Sequence, residues 1–192
     1  NESFPKFDLP VDFIADDSIT GDILNYYGNF PCKIKAGVFV LCTEGMVRAT
    51  INLLEIVIRK NDFIVVLPNS FIQIHEVSSD TRISFAGFSS DFMLSGNYVE
   101  ILLDFMPMIL NSPVISLQED VAGLYRNVYL LLIRAYTLPH SLENKEIIRS
   151  VLAIFLQGTK ELYKRYGKKL DEPLRREQEL YRQFIQLLMA HY

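Results

Sequence analysis

Two hydrophobic periods divide the chain into a front part and a back part. From about residue 30 to residue 88, short runs that alternate apolar and polar positions, or that are apolar throughout, are separated by polar turn residues. About six or seven such runs, spaced roughly 8–12 residues apart, predict antiparallel strands that form a sandwich or a barrel. The predicted strands are CKIKAGVFVLC, MVRATI, EIVIR, FIVVL, FIQIHEV and TRISFAGF, with VDFIA as one further candidate.

After Asp91 the apolar positions recur with the helical period of about 3.6 residues. The first predicted helix is NYVEILLDFMPMIL, which Pro107 is expected to kink or divide because proline removes a backbone donor and clashes with the preceding turn. Ser116 and Glu119 have the spacing of a capping box, which predicts the start of a helix that runs to about Tyr136.

Two further helices are predicted in the back part. One runs from about Leu142 to Tyr166, with Gly167 in the position of a C-terminal cap. The other begins near Pro173, since proline is favoured in the first turn of a helix, and its periodicity continues to Tyr192. Strands followed by helices predict an α+β fold.

Composition and charge restrict the classes of function. The 192-residue chain is 49% hydrophobic and 22% charged, as is usual for globular proteins. Its net charge of −4 makes it a poor candidate for non-specific nucleic-acid binding. Cys32 and Cys42 lack the spacing of a zinc or redox site, and we interpret them as free thiols of a cytoplasmic protein. No apolar run is long enough to predict a membrane span.

The predicted strands contain few residues that carry out chemistry. A metal-binding barrel needs two or three histidines and a carboxylate that converge from neighbouring strands. Strict alternation places Phe71, Gln73, His75 and Val77 on one face and Glu76 on the other, so His75 has no carboxylate beside it. The sequence also lacks the nucleophile elbow, the P-loop and the dinucleotide-binding glycine motif. We therefore predict no catalytic residue, no metal and no cofactor.

Three stretches of the front part carry a resemblance to a known family. They are KNDFIVVLPNSFIQI, GVFVLCTEGMVRATINL and FAGFSSDFM, and a predicted helical hairpin follows them. With this order of segments the chain resembles the N-terminal sensing and dimerisation domain of AraC-family bacterial transcription regulators. Asn61 stands where many cupins have glycine, and asparagine tolerates the left-handed turn conformation.

The resemblance implies a fold and a division of the chain. Residues 1–95 are expected to form a cupin-like jelly-roll barrel that binds an unidentified small-molecule effector. Residues 96–170 are expected to form a helical dimerisation region of a homodimer. Residues 171–192 are expected to form a linker helix that leads into a helix-turn-helix domain absent from this sequence. The resemblance also implies a regulator and not an enzyme.

The candidate effector site lies between facing strands. An apolar stripe from one strand is expected to point into the barrel, opposite apolar residues of another strand, and an arginine is expected to meet an anionic group. The candidate residues are Phe39, Leu41, Arg48, Ile72 and Ile74. The alternative is that the apolar residues fill a closed core.

The candidate dimer interface lies on the predicted helices, which carry more apolar surface than one face of a small barrel can cover. Part of this surface is expected to pack on the barrel and part on a second subunit. The candidate interface residues are Tyr125, Tyr129, Ile133, Val151, Phe155 and Leu162.

The end of the chain bears on DNA binding. LYRQFIQLLMAHY resembles the entry to the family's helix-turn-helix domain, so the native protein is expected to continue, and no DNA-binding residue is assigned in this fragment. Basic residues in 160–182 are interpreted as a solvated helix face, with a hinge near nucleic acid as the alternative.

Two other classes of function stay open as alternatives. One is a cupin enzyme, with or without a metal. The other is a cyclic-nucleotide sensor, which needs a phosphate-binding helix between strands, and no such cassette interrupts the strands between Glu55 and Phe88.

The lone strand histidine leads to a prediction about metal. Dialysis against a strong chelator is expected to leave the melting temperature unchanged, because a structural metal contributes folding free energy and its removal destabilises the fold. Differential scanning calorimetry before and after dialysis measures this. A drop of several degrees that added zinc reverses would contradict the prediction.

Overall fold

The computed structural model describes residues 6–9, 11–28, 30–95, 98–137, 145–166 and Gln183. Several predicted features lie outside these residues: the start of a helix near Leu142, the cap at Gly167, the basic residues at 175–182 and the linker helix at 171–192.

The described residues form a β-rich front part and a helical back part. The strands are β1 (Lys6–Phe7), β2 (Phe13–Thr20), β3 (Cys32–Ile34), β4 (Gly37–Glu44), β5 (Met46–Ile51), β6 (Leu54–Arg59), β7 (Asp62–Val66), β8 (Ser70–Val77), β9 (Arg82–Phe88) and β10 (Val114–Ser116). The helices are α1 (Gly21–Gly28), α2 (Ser90–Leu94), α3 (Tyr98–Asn111), α4 (Glu119–Thr137) and α5 (Lys145–Tyr166).

Two five-stranded sheets face each other. One has the order β1-β3-β8-β5-β6 and the other the order β10-β7-β4-β9-β2. The eight strands from β2 to β9 thus follow the orders 3-8-5-6 and 2-9-4-7, which is the strand arrangement of a jelly roll. Their pairings are antiparallel, whereas β1 joins β3 in parallel at one edge. The predicted α+β fold, a jelly roll followed by helices, is confirmed.

The second sheet has apolar residues on both faces. On β4, Val38 and Val40 face the first sheet, while Phe39 and Leu41 face the opposite way. All five positions of β7 are buried, which accounts for the unbroken apolar run in its sequence. We call this sheet, β10-β7-β4-β9-β2, the covered sheet, and its partner the exposed sheet.

The helices cover the outer face of the covered sheet with an aromatic cluster. The ring centroid of Phe155 in α5 lies 5.2 Å from that of Phe39 in β4 and 5.1 Å from that of Tyr129 in α4. The ring of Tyr125 lies 4.9 Å from that of Phe63 in β7. The Phe155 side chain is only 1% exposed and contacts both α4 and the covered sheet, so this one residue of α5 packs the two helices onto the sheet.

Three turns of the jelly roll use residues in the left-handed conformation. The φ angles are +48° at Asn52, +73° at Leu53, +68° at Asn61 and +67° at Asn69. The tight turn between β5 and β6 therefore has two consecutive positive φ angles, as a type I′ hairpin requires. The expectation that Asn61 adopts the glycine-like conformation is confirmed.

A polar cluster ties the turn between β6 and β7 to the start of α4. The Nδ2 of Asn61 donates to Glu119 Oε2 at 2.6 Å, and Arg126 Nη2 donates to Asn61 Oδ1 at 2.8 Å. Both terminal nitrogens of Arg126 also donate to Glu119 Oε1 at 3.1 Å. Hydrogen bonds from Asn61 and then from Arg126 lower the pKa of Glu119.

The neighbouring carboxylate of Asp62 is buried at the same junction. Its Oδ1 accepts from Ser116 Oγ at 2.6 Å, and its Oδ2 accepts from the Arg59 backbone N–H at 2.7 Å. Ser116 and Glu119 therefore bind the turn at 61–62, and the predicted capping box between them is wrong. We call the five residues Asn61, Asp62, Ser116, Glu119 and Arg126 the clasp.

Two other features of the helices differ from expectation. Pro107 lies inside α3, which runs on to Asn111, so of the two expected effects of this proline the division of the helix does not occur. The segment Gly21–Gly28, for which no helix was predicted, forms α1. None of the helices in the described residues is long and apolar enough to cross a bilayer.

The aromatic cluster leads to a prediction about stability. Phe155→Ala is expected to lower the free energy of unfolding by about 3–5 kcal/mol, because it leaves a cavity between the covered sheet and both long helices. Phe30→Ala is the matched control: its side chain is 71% exposed, and a change within about 0.5 kcal/mol is expected. Urea denaturation measures both. Equal effects of the two variants would contradict this packing.

The clasp leads to a second prediction. Asp62→Ala is expected to lower the free energy of unfolding by about 1–3 kcal/mol, because the Ser116 hydroxyl and the Arg59 N–H lose their acceptor. Glu55→Ala, which removes an exposed carboxylate from β6, is the control and is expected to change little. The comparison is made by urea denaturation at neutral pH. An unchanged midpoint for Asp62→Ala would show that the clasp contributes nothing to stability.

Candidate functional site

The space between the two sheets is the candidate site. Its buried side chains come from both sheets and are almost all aliphatic: Cys42, Val47, Ala49, Ile51, Ile58, Ile64, Val66 and Ile83. Partly buried residues pack against them: Ile19, Leu24, Ile34, Val38, Val40, Ile56, Ile72, Ile74, Val77, Phe85 and Val114. The interior is therefore apolar, as ligand sites in proteins commonly are.

Part of the inward surface of the central strands is less tightly closed than the helix-covered face. On β4, outward-facing Phe39 and Leu41 are 1% and 0% exposed, but inward-facing Val38 and Val40 are only partly buried. Because β4 lies between β7 and β9, accessible surface at Val38 and Val40 belongs to the space between the sheets. Ile72 and Ile74 on β8, also an inner strand, are likewise only partly buried.

The structure separates the predicted effector-site residues into three places. Ile72 and Ile74 line the interior as expected, but Phe39 and Leu41 belong to the cluster beneath the helices. The residues of β4 that face the exposed sheet are instead Val38 and Val40. Both faces of β4 are apolar, so alternation alone does not identify which set points inward.

Arg48 lies on the outer face of the exposed sheet. Its guanidinium Nη2 is 3.2 Å from Glu76 Oε2, and both side chains are about half exposed, at 51% and 55%. Its predicted place in the interior is therefore wrong, because the inward positions of β5 are Val47, Ala49 and Ile51.

A β-bulge changes the faces at the end of β8. Arg48 pairs with Glu76 while Ala49 pairs with Ile74, so His75 is the extra residue of β8. His75 and Glu76 are consequently both exposed, and the prediction that Glu76 points away from His75 is wrong. The Nε2 of His75 lies 2.7 Å from Thr50 Oγ1. No group of three potential metal ligands occurs in the part of the chain that the structure describes.

The short helix α1 forms one wall of the interior. Leu24 packs against the interior cluster, and the backbone of Gly28 lies directly on Ile74. A Cβ at position 28 would lie 2.7 Å from the Cβ of Ile74, so this contact requires glycine. The other side of α1 faces solvent, with Tyr26 79% exposed.

The interior thiol carries no charge at neutral pH. Burial, with a smaller contribution from the carboxylate of Asp62, raises the pKa of Cys42 to about 11. The thiol donates a weak hydrogen bond to the Glu44 carbonyl at 3.2 Å. Cys42 is therefore a small apolar residue of the barrel and a poor nucleophile.

A second cleft lies outside the barrel, between the β5–β6 hairpin and the end of α3. Its lining includes Leu54, Val65, Leu67, Ile109 and Pro113. The enclosed part of this cleft is only about 10 Å³. That is far below the roughly 300–1,000 Å³ of typical ligand pockets, so the interior remains the candidate site.

The predicted dimer-interface residues take part in packing within the subunit. Tyr125, Tyr129, Val151, Phe155 and Leu162 are all at most 7% exposed, and Ile133 is partly buried against the same cluster. The exposed apolar side chains of the two long helices are instead Leu124, Leu130, Leu131, Tyr136, Ile147, Ile154 and Tyr166.

No protein-family model and no curated protein matches the chain. Solved structures with similarity to it include ToxT from Vibrio cholerae bound to (E)-4-(8-methylnaphthalen-1-yl)but-3-enoic acid, at 12% identity over 88% of this chain and 64% of that one, with a TM-score of 0.44. ToxT from V. cholerae strain SCE256 with a bound unsaturated fatty acid matches at 9% identity over 86% and 60%, with a TM-score of 0.43.

The AraC-like transcriptional activator CuxR matches at 10% identity over 93% of this chain and 60% of that one, with a TM-score of 0.47. The present chain thus spans about three fifths of the length of these proteins. At this level of identity the likeness is one of fold.

Proposed function

We propose that the chain is the effector-binding and dimerisation part of a bacterial AraC-type transcription regulator, and that it is not an enzyme. The observation that carries this proposal is the unevenly closed core. The outer face of the covered sheet is sealed by aromatic packing, while Val38 and Val40 retain accessible surface on the inner face of the same strand. An apolar space between two sheets is suited to hold a small molecule.

The side chains around this space support binding over catalysis. The described interior cluster is built from aliphatic residues, and its thiol is protonated at neutral pH. These apolar side chains supply neither a general base nor a nucleophile. The carboxylates on inward strand positions, Asp16 and Asp62, accept hydrogen bonds from protein groups. The effector is accordingly held by shape and by apolar contact in the proposed cytoplasmic regulator.

A second copy of the chain is the proposed partner of the helices. Leu124 and Leu131 are seven residues apart on α4 and are 62% and 47% exposed. Ile147 and Ile154 have the same spacing on α5 and are 37% and 55% exposed. Seven-residue spacing places each pair on one stripe of its helix, the pattern by which helices pack side by side between subunits. An isologous two-fold dimer buries these stripes.

DNA contact is assigned to a helix-turn-helix domain outside residues 1–192. The net charge of −4 is consistent with this division, because an acidic chain repels the phosphate backbone.

The proposal is tested by native mass spectrometry of the chain purified without denaturation. The expected spectrum is a dimer that retains a small molecule. Leu124→Glu combined with Leu131→Glu is expected to yield the monomer, because two charges replace the apolar stripe of α4. Leu130→Glu is the matched control: Leu130 is 43% exposed but lies about 100° around the helix from Leu131, so this variant stays dimeric.

A monomer in the wild-type spectrum at concentrations where such dimers persist would refute the dimerisation half of the proposal. Loss of the dimer in the Leu130→Glu control would place the interface on another face of α4.

A further inference from the structure

The charged side chains around the interior restrict the charge that the effector can carry. Among the described strand residues, the charged side chains on the inward positions are Asp16 and Asp62. Asp16 lies opposite Phe85 in the pairing of β2 with β9, and Asp62 shares the inward side of β7 with Ile64. Both are carboxylates.

The two inward carboxylates already accept hydrogen bonds from protein groups. Asp62 accepts from Ser116 and from the Arg59 backbone, as part of the clasp. Asp16 Oδ1 accepts from the Ser18 hydroxyl at 2.6 Å and from the Ser18 backbone N–H at 2.7 Å. Neither carboxylate needs a ligand to satisfy it.

The cationic side chains of the strands lie elsewhere. Lys33 lies over the ring of Phe71, 5.8 Å from its centroid, on the outer face of the exposed sheet. Arg48 pairs with Glu76 on that same face, and Arg82 pairs with Glu44 at 3.5 Å. An anionic group inside the barrel would therefore lose its water without gaining a counter-charge, which is strongly unfavourable.

The wall formed by α1 is the weakest part of the enclosure. An eight-residue helix has little stability of its own in water. Its attachments include the apolar contact of Leu24, the packing of Gly28 against Ile74, and a backbone hydrogen bond from Gly21 N to Thr81 O at 3.2 Å. Local opening of this helix breaks no strand-pairing hydrogen bonds, whereas opening of the central strands breaks a whole ladder of them.

We infer that the barrel interior binds an uncharged apolar small molecule, and that this molecule enters where Leu24 of α1 is displaced. The inference rests on the proposed effector-binding function and adds to it the charge class of the effector and the route of entry. Carboxylates and other anions are rejected by the interior, because no inward-facing cation among the described strands receives them.

The charge class is tested with the uncharged naphthalene dye prodan and the intact 192-residue chain. Prodan fluorescence is expected to rise in a saturable manner and to shift to the blue as the dye leaves water. Methyl 2-naphthoate is then expected to displace prodan at a concentration at least about tenfold lower than 2-naphthoate, since the two differ by one charge. Preferential displacement by 2-naphthoate would overturn the charge assignment and leave the effector-binding function standing.

The location is tested with a pair of variants. Val40→Phe places a larger side chain in the interior and is expected to lower prodan affinity by about tenfold or more. Val57→Phe adds the same bulk on the solvent-facing side of β6 and is expected to leave affinity unchanged. Urea denaturation of both variants establishes that they are folded. Equal prodan affinities for the two variants, or no saturable prodan binding by the wild type, would overturn the interior site. Native mass spectrometry of the dimer would still test the dimerisation half of the proposed function.

The entry route is tested by stopped-flow fluorescence. Leu24→Ala is expected to raise the association rate constant of prodan about threefold or more, because the side chain that closes the wall is removed. Tyr26→Ala, which removes an exposed ring from the other side of the same helix, is the control and is expected to leave that rate unchanged. An unchanged rate in Leu24→Ala would move the entry route away from α1, and an equal increase in both variants would do the same.

Discussion

The need to bury both faces of one sheet governs this structure. Strand β7 is buried at every position, and β4 presents valines to the barrel and Phe39 and Leu41 to the helices. A sheet that is apolar on both faces is stable in water only when two layers cover it. The exposed sheet supplies one layer, and α3, α4 and α5 supply the other. The jelly roll and the helices therefore depend on each other for stability, although their sequences have different periods.

The stabilising aromatic cluster and the candidate site lie on opposite sides of the same strands. The aromatic cluster around Phe155 packs tightly beneath the helices, so the interior does not have to be filled completely for the fold to persist. The clasp joins the two regions through hydrogen bonds: Asp62 begins the inward-facing row of β7, and its chain neighbour Asn61 accepts from Arg126 of α4. The start of α4 is therefore tied by polar contacts to a strand that lines the interior.

The sequence is sufficient to predict most of the strands, their polar turns, the two long helices and the α+β order, because each depends on a local period. The short strands β1 and β10 are not among those predicted, and the run predicted as one strand from Cys32 to Cys42 forms β3 and β4. The faces are harder to predict. Alternation fails at β4, where both sides are apolar, and at His75, where one extra residue shifts the parity. The stripe that includes Tyr129 and Phe155 is predicted correctly as apolar, but its partner is the covered sheet of the same subunit. Helix α1 is too short for its period to stand out, and the contact of Gly28 with Ile74 is visible only in three dimensions.

The pairing of β2 with β9 has a consequence for biosynthesis. Phe13 pairs with Phe88, so the covered sheet cannot close until nearly the whole jelly roll has left the ribosome. Pairings between residues so distant in sequence form slowly. The helices emerge later still, and until α5 has been synthesised the ring of Phe39 lacks its covering partner. The nascent chain therefore passes through an interval in which a completed barrel displays an apolar sheet to water, and in that interval it is a natural client for chaperones that hold exposed apolar surface.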